Sequence, residues 1–128
     1  DVLEARRRLP VGSAAQVLAL RQFGHLIGNT DMHFGNLGLW VEREQLVAGR
    51  FRLAPLYDML PMRWRPDASS GEMGLLPFEP DAGDLESAAR PLAAEYWDRV
   101  AQSASIGRGF RKLAGEQARR TWSRGAGA

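Results

Sequence analysis

One short stretch of the chain concentrates side chains that can do chemistry. Between positions 28 and 36 the sequence places Asn29, Asp31, His33 and Asn36 within eight residues, and Asp58 follows 22 residues after Asn36. Polar side chains on a loop that regular elements hold in place are typical of a reactive site. We therefore expect the function of the chain to centre on this stretch and on Asp58.

Phosphoryl transfer is the chemistry that best explains this set of residues. The reaction uses a carboxylate to accept the proton of the attacking hydroxyl, and oxygen ligands to hold Mg²⁺. Mg²⁺ typically takes one or two carboxylates and keeps waters and phosphate oxygens as its other ligands. One Asp as base, one Asn carbonyl and a further Asp for the metal are therefore sufficient. An Asp and an Asn five residues apart are a weak signal alone, but the order of helix, loop, hairpin and second Asp is much more specific.

The elements around this stretch are predicted from hydrophobic spacing and turn residues. Apolar residues at helical spacing predict a helix over 13–27, with Ser13 as its N-cap and Gly28 at its end. Residues 37–41 and 51–54 read as two short strands that pair as a hairpin. The hairpin folds the chain back, so that Asp58 is expected to approach the loop that carries Asp31.

The rest of the chain is predicted to be irregular and then helical. Prolines and glycines make 62–83 a long loop, after which Asp84 or Ser87 caps a first turn. Pro91 suits the first turn of a helix that runs to 103, and Ser105 is the expected cap of a last helix over 106–122. The fold class is thus mainly α with one β-hairpin. The aromatic residues expected in the core or as loop anchors are Tyr57, Trp64, Tyr96, Trp97, Phe110 and Trp122.

The residues of this stretch also resemble a known family. Asn29-Thr30-Asp31-x-His33-x-x-Asn36, followed by Leu53-Ala54-Pro55-Leu56-Tyr57-Asp58-Met59, closely resembles the catalytic core of HipA-like kinases. These are bacterial serine/threonine kinases of toxin–antitoxin and persistence systems. The resemblance covers about residues 13–65 with specific motifs.

The resemblance implies a role for each matching residue and a fold for the chain. It makes Asp31 the catalytic base and Asn36 and Asp58 the Mg²⁺ ligands, and it places His33 beside the phosphates of ATP. It implies a protein-kinase-like C-terminal lobe, Mg²⁺ and ATP as cofactors, a protein hydroxyl as substrate, and a DNA-binding antitoxin as a possible partner.

One departure from the family pattern is equally informative. A kinase of this type needs a phosphate-binding loop and an ATP-anchoring lysine before its catalytic loop, but Lys112 is the single lysine among 17 basic residues. We therefore expect 1–128 to be one domain, a C-terminal lobe without its N-terminal lobe, and to be nearly inactive alone. Residues 1–12 and 123–128 are expected to be flexible.

Two alternatives stay open at the level of sequence. The first is a metal-dependent phosphoesterase that uses His25, Asp31, His33 and Asp58, although His25 is more simply explained as a structural residue. The second is a non-catalytic module that binds a partner or nucleic acid through the 16 arginines, among which Arg63 and Arg65 are candidates for a phosphate contact.

Composition excludes further kinds of site and of protein. The chain has no cysteine, which excludes disulfides and thiolate chemistry. No apolar run approaches the ~20 residues of a membrane span, so we expect a cytoplasmic protein without a membrane partner.

Overall fold

The helices α5 (Arg90–Gln102) and α6 (Arg108–Trp122) pack closely against each other and form the centre of the molecule. Small side chains on both helices allow this close approach, and they are buried: Ala93, Ala94, Ala114 and Ala118. Trp97 of α5 is fully buried, and its indole N–H donates to the carbonyl oxygen of Leu26 at 3.0 Å. The core therefore joins the helix pair to the end of an earlier helix that leads into the candidate site.

The computed structural model describes residues 2–123. Before the helix pair come α1 (Val2–Ala5), α2 (Ser13–Leu26), α3 (Arg43–Leu46) and α4 (Ala82–Leu85). Strands β1 (Leu39–Trp40) and β2 (Arg52–Leu53) form a two-stranded antiparallel sheet, in which Leu39 pairs with Leu53 and Trp40 with Arg52. Short 3-10 turns cover Phe34–Asn36 and Met62–Trp64. None of the helices within 2–123 has the length and apolarity needed to cross a membrane.

The long loop is irregular over most of 62–83, as predicted, and polar contacts of Trp64 and Gln117 hold it to itself and to α6. The indole N–H of Trp64 donates to the carbonyl oxygen of Leu76 at 2.8 Å. The side-chain amide of Gln117 both accepts from the backbone N–H of Phe78, at 3.2 Å, and donates to its carbonyl, at 3.1 Å. Trp64 is buried against Trp97, with ring centroids 5.5 Å apart and nearly perpendicular planes. The prediction that Trp64 lies in the core is confirmed.

The predicted strands are longer than those observed. Pairing is limited to two residues per strand, extended by one further bond from the Ala54 N–H to the Gly38 carbonyl at 2.9 Å. The connector was not predicted to be regular, yet it contains α3, because Arg43, Glu44 and Gln45 are all good helix formers. The hairpin itself is present, and the mainly helical fold class is confirmed at that level.

Three predicted helix caps are wrong. Gly12, with φ 93°, is the N-cap of α2, and the hydroxyl of Ser13 instead donates back to the Pro10 carbonyl at 2.7 Å. Gly107 rather than Ser105 precedes α6.

The third cap lies at α4. It belongs to Asp81, whose Oδ1 accepts from the Gly83 N–H at 2.8 Å, and not to Asp84 or Ser87. In each case a residue one to three positions away provides the helix start, since several polar or glycine residues compete for that position.

Trp122 does not belong to the core. Its side chain is 48% exposed and its indole N–H donates to Asp98 Oδ2 at 2.9 Å, so it covers the end of the helix pair.

At the other end of the chain, residues 2–12 include α1, and the Arg8 carbonyl accepts from the Phe51 N–H at 2.7 Å. Flexibility of 1–12 stays a prediction, and residues 124–128 of the expected flexible tail lie outside the described residues.

Candidate functional site

Helix α2 ends in a way that turns the chain sharply into the candidate site. Gly28 has a φ of 74°, in the left-handed region where a residue without Cβ is favoured. A Cβ at this position would lie 2.7 Å from the ring of Trp64, so the space is also filled. The Gly28 N–H donates to the His25 carbonyl and its own carbonyl accepts from the Arg63 N–H at 2.9 Å. The predicted end of the helix is confirmed, and the core beneath it sets the direction of residues 29–36, the 29–36 loop.

Asn29 is the buried centre of the site. Asn29 is only 5% exposed, and its backbone N–H donates to the Gly24 carbonyl at 2.9 Å. Its Oδ1 accepts from the backbone N–H of Asp31 at 3.0 Å, while its Nδ2 donates to the carbonyl oxygen of Asp58 at 2.9 Å. One side chain therefore joins the 29–36 loop to the segment that follows the hairpin.

The 29–36 loop is closed on itself by three further bonds. Asn36 Nδ2 donates to the Asp31 carbonyl at 3.4 Å, and the Asn36 N–H donates to the His33 carbonyl at 3.1 Å. His33 Nδ1 accepts from the Gly35 N–H at 3.1 Å. This last bond assigns the ring proton of a neutral His33 to Nε2, which is exposed.

Tyr57 anchors the loop from the far side of the hairpin. Its hydroxyl donates to the Gly35 carbonyl, although the ring itself is 52% exposed. Of the two roles expected for Tyr57, the structure thus gives it that of a loop anchor. Together, Tyr57 and Asn29 hold the two halves of the site at two separate points.

Asp58 adopts an unusual backbone conformation. Its φ is 56°, in the left-handed region that residues with a Cβ rarely enter. Within residues 2–123, neither its carboxylate nor that of Asp31 has a hydrogen-bond or ion-pair partner, and both residues are exposed. One buried amide thus holds the backbones of two residues whose carboxylates have no partner. Backbone strain of this kind is often found at functional sites.

His25 lies apart from these residues. Its Nδ1 is 3.1 Å from Asp84 Oδ2, a contact that joins α2 to α4 on the rim of a cleft of about 500 Å³. No group of three or more metal-binding side chains is assembled within the described part of the chain. The arrangement of His25, Asp31, His33 and Asp58 that a phosphoesterase would need is therefore not present there, and the structural interpretation of His25 is favoured.

Arg63 also faces this cleft. Its guanidinium lies over the ring of Phe78, 5.3 Å from the centroid, and the cleft borders Thr30 of the 29–36 loop. Arg65 is exposed and has no side-chain partner in the described residues. Of the two arginines considered for a phosphate contact, Arg63 is the one that shares a cleft with the loop.

The sequence placed Asn29 in the motif but assigned it no role of its own. The signal was local: an Asn two residues before an Asp is typical of an Asx turn, in which the side chain accepts from the backbone N–H two positions on. The second bond, to a residue 29 positions away, depends on the tertiary fold. No local pattern predicts it.

Comparison with known proteins gives a consistent result. The model of the HipA-like C-terminal domain matches residues 1–124. The chain is 38% identical over 109 residues to Toxin YjjJ from Escherichia coli (strain K12), an alignment that covers 81% of this chain and 23% of that protein. The chain thus spans about a quarter of the length of the curated relative it matches. No solved structure gives a significant match.

Proposed function

This chain belongs to the family of HipA-like C-terminal domains, and from that premise we propose that it is the catalytic C-terminal lobe of a HipA-like protein serine/threonine kinase. The intact kinase, with its second lobe, transfers the γ-phosphoryl group of ATP to a hydroxyl of a protein substrate. The relative named a toxin supports placing the chain among HipA-related proteins of toxin–antitoxin systems. The protein-kinase-like character of the lobe is part of the proposal.

The observation that carries the proposal is the bridge made by Asn29. Its side chain contacts the backbone of both Asp31 and Asp58, which come from opposite sides of the hairpin. A phosphotransferase needs a base and a metal-binding carboxylate in one place, because the reaction depends mainly on positioning and charge stabilisation. The bridge supports a shared role for these two carboxylates.

The donor set suits Mg²⁺. Asp58 offers a carboxylate without a partner, and the amide of Asn36 uses its Nδ2 for the Asp31 carbonyl, which leaves its Oδ1 available. These are hard oxygen ligands, and one carboxylate is enough when phosphate oxygens complete the coordination. When bound, Mg²⁺ supplies positive charge that neutralises the phosphates of ATP.

The other residues of the site have distinct roles in this proposal. Asp31 accepts the proton of the substrate hydroxyl as that oxygen attacks. His33 keeps its Nδ1 occupied by the Gly35 N–H, so that its Nε2–H is available to donate to a phosphate oxygen. Thr30 borders the 500 Å³ cleft, through which a substrate segment can approach Asp31.

The proposal includes a second lobe outside this chain. Lys112, the single lysine, lies on α6 in the helical part of the molecule, and the curated relative is about four times as long as the matched region. We propose that the ATP-anchoring lysine and the phosphate-binding loop come from a preceding lobe. A DNA-binding antitoxin and a protein substrate stay predictions from the family resemblance, and a cytoplasmic location stays a prediction from composition.

Paramagnetic NMR of the ¹⁵N-labelled chain tests the metal ligands. Mn²⁺, titrated with and without ATP, is expected to broaden the amides of Asn36 and Asp58, more strongly with ATP. Asp58→Asn should remove the broadening, whereas Asp98→Asn, a matched change on α5, should leave it unchanged. Broadening centred on His25 and His33, indifferent to ATP, or no broadening at all, would contradict the assignment.

A phosphorylation assay tests the need for the second lobe. The isolated chain is expected to show no robust transfer from ATP to a protein hydroxyl. Robust turnover that Asp31→Asn abolishes would overturn the requirement for a preceding lobe while supporting the role of Asp31.

One observation favours the alternative of a binding module. A second cleft, of about 430 Å³, is lined by Trp40 and by four arginines, Arg7, Arg8, Arg50 and Arg52. Arginines beside an exposed aromatic ring are typical of surfaces that bind single-stranded nucleic acid. If nucleic-acid binding is the function, affinity for a short single strand should fall steeply with salt and should drop in Arg50→Gln. A flat salt dependence would exclude this alternative.

A further inference from the structure

We infer that Asn29 is a positioning residue, whose one buried amide sets the placement of Asp31 and Asp58 together. The inference deepens the proposed function and rests on it, because placement of these two carboxylates matters only if they act in one reaction. The observations that support it are the hydrogen bonds that the Asn29 side chain makes to Asp31 and Asp58.

The amide of Asn29 bonds to both partners, and its Nδ2 also lies 3.7 Å from the sulfur of Met59, the residue after Asp58. The Asn29 Oδ1 accepts from the Asp31 N–H at 3.0 Å and the Nδ2 donates to the Asp58 carbonyl at 2.9 Å. The amide is planar, so a shift of either partner changes the geometry of the bond to the other. The backbone N–H of Asn29 is itself bonded to Gly24 at 2.9 Å, which ties the amide to the end of α2.

The unusual backbone conformation of Asp58 depends on the hydrogen bond from Asn29. Its φ of 56° is a conformation that L-residues rarely adopt, and it directs the carboxylate away from where an extended backbone would place it. The bond from Asn29 to the Asp58 carbonyl holds the peptide unit that follows this residue. Loss of that bond lets the residue relax toward a common conformation and moves its carboxylate.

To make both bonds, the side chain at position 29 must carry one acceptor and one donor close to the backbone. In Asn29→Asp the ionised carboxylate still accepts from the Asp31 N–H but faces the Asp58 carbonyl oxygen with no proton to donate. In Asn29→Ala both bonds are lost. The two variants therefore separate the contribution of the Asp58 contact from that of the Asp31 contact.

Gln117 offers a matched control within the same chain. It is also a buried amide that accepts from a backbone N–H and donates to a carbonyl, but both belong to Phe78, in the long loop that α6 holds. Gln117→Ala should lower stability much as Asn29→Ala does, but it removes no bond to Asp31 or Asp58. A purely structural role of Asn29 predicts the same behaviour for both variants.

The experiment compares these three variants and the unchanged chain by NMR, with Mn²⁺ as the probe and thermal unfolding as a check of folding. Asn29→Ala is expected to shift the amides of both Asp31 and Met59 and to weaken Mn²⁺ binding by about 10-fold or more, as changes behind metal ligands typically do. Asn29→Asp should shift Met59 more than Asp31. Gln117→Ala should shift Phe78 and leave Mn²⁺ affinity within about twofold, because distant sites are usually independent.

The outcomes separate this inference from the proposed function. If the unchanged chain binds Mn²⁺ at Asn36 and Asp58 but the Asn29 variants, still folded, bind it equally well, the positioning role is overturned and the metal site stands. If the unchanged chain binds no Mn²⁺, the proposed function fails. The positioning role rests on that function and is then overturned with it. If Asn29→Ala does not fold, Asn29→Asp tests the Asp58 contact alone: a folded variant that neither shifts Met59 nor binds Mn²⁺ more weakly overturns the positioning role.

Discussion

The helical half of the molecule, α5 with α6, and the site half, residues 28–60, are stabilised by different means. In the helical half Trp97 is fully buried and Leu113 is 4% exposed, and the more exposed Leu92 and Trp122 lie outside this core. In the site half large side chains are open to solvent, since Phe34 is 90%, Trp40 57% and Tyr57 52% exposed. Burial stabilises the first half, whereas side chain to backbone hydrogen bonds hold the second.

This difference has an energetic consequence. Full burial of one large apolar side chain contributes about 1.5–3 kcal/mol, but one hydrogen bond contributes a net of about 0.5–1.5 kcal/mol. The bonds of Asn29 and Tyr57 are few, so the site half is expected to open locally at a lower free energy than the helix pair. Changes in the two halves should therefore affect stability and metal binding to different degrees.

The largest expected loss of stability comes from Trp97→Ala. The change leaves a cavity among α5, α6 and the end of α2, and it removes the donor to the Leu26 carbonyl. We expect the free energy of unfolding to fall by about 3–5 kcal/mol, as for other buried Trp residues. Chemical denaturation followed by circular dichroism measures it.

Trp40→Ala is the control in the site half. Its side chain is largely exposed, so the loss should stay within about 0.5 kcal/mol, as for most surface changes. Equal losses in the two variants would contradict the division of the molecule into a buried half and an exposed half.

Gly28→Ala tests the packing of Gly28 against Trp64, where α2 leads into the site half. Alanine is strained at a φ of 74°, and its Cβ would lie 2.7 Å from the ring of Trp64. The two effects together are expected to lower the free energy of unfolding by about 2–4 kcal/mol. Gly12→Ala separates them, because Gly12 also has a positive φ, 93°, but no atom lies within 4 Å of the added Cβ.

We expect Gly12→Ala to cost about 1 kcal/mol, the backbone part alone. The difference between the two variants then reports the contact with Trp64. Similar losses at both positions would show that the ring of Trp64 moves aside freely, and that the packing around Gly28 is not rigid. Denaturant unfolding of both variants at one pH is sufficient.

The sequence predicted two helix boundaries better than the details of the hairpin. The end of α2 at Gly28 and the first turn of α5 around Pro91 follow from residues whose backbone preferences are strong. The strands were predicted too long and α3 was not predicted, since weakly amphipathic segments of four or five residues carry little periodic signal.

Within the candidate site, the motif residues were recognisable and their support was not. Asp31, His33, Asn36 and Asp58 stand at family-like spacing in the sequence. The bond from Asn29 to Asp58 joins residues 29 positions apart, and it depends on how the hairpin packs. Contacts of this range arise from tertiary structure, so residue types and spacing do not predict them.

Asp58→Gly is expected to change stability and metal binding in opposite directions. Glycine relieves the left-handed strain, worth about 1–2 kcal/mol, but adds about 0.5–1 kcal/mol of backbone entropy to the unfolded chain. The net gain in the free energy of unfolding is therefore roughly 0.5–1 kcal/mol by these two estimates. Mn²⁺-induced broadening at Asn36 should be lost in the same variant. A destabilised Asp58→Gly would mean that the carboxylate itself stabilises the fold.

The smallest expected effects concern two exposed carboxyls, one in the long loop and one on α6. The Oδ1 of Asp67 accepts from the hydroxyls and backbone N–H groups of Ser69 and Ser70, and these bonds hold the pKa of Asp67 well below its usual range. Hydrogen bonds from Arg119 and Arg120 likewise lower the pKa of Glu116. A carboxyl with a lowered pKa in the folded state stabilises the fold above its unfolded pKa, about 4 for Asp and Glu.

That stabilisation is lost as pH falls from about 4 toward the lowered pKa, so the unchanged chain should approach Asp67→Asn and Glu116→Gln in stability on acidification. Salt should distinguish the two. The partners of Glu116 are charged, so about 1 M NaCl, where the screening length is only about 3 Å, should shrink its effect. The partners of Asp67 are neutral donors, so its effect should persist. Urea unfolding between pH 5 and pH 2 at both salt levels measures this; equal salt sensitivity would mean that long-range charge, and not the local hydrogen bonds, stabilises Asp67.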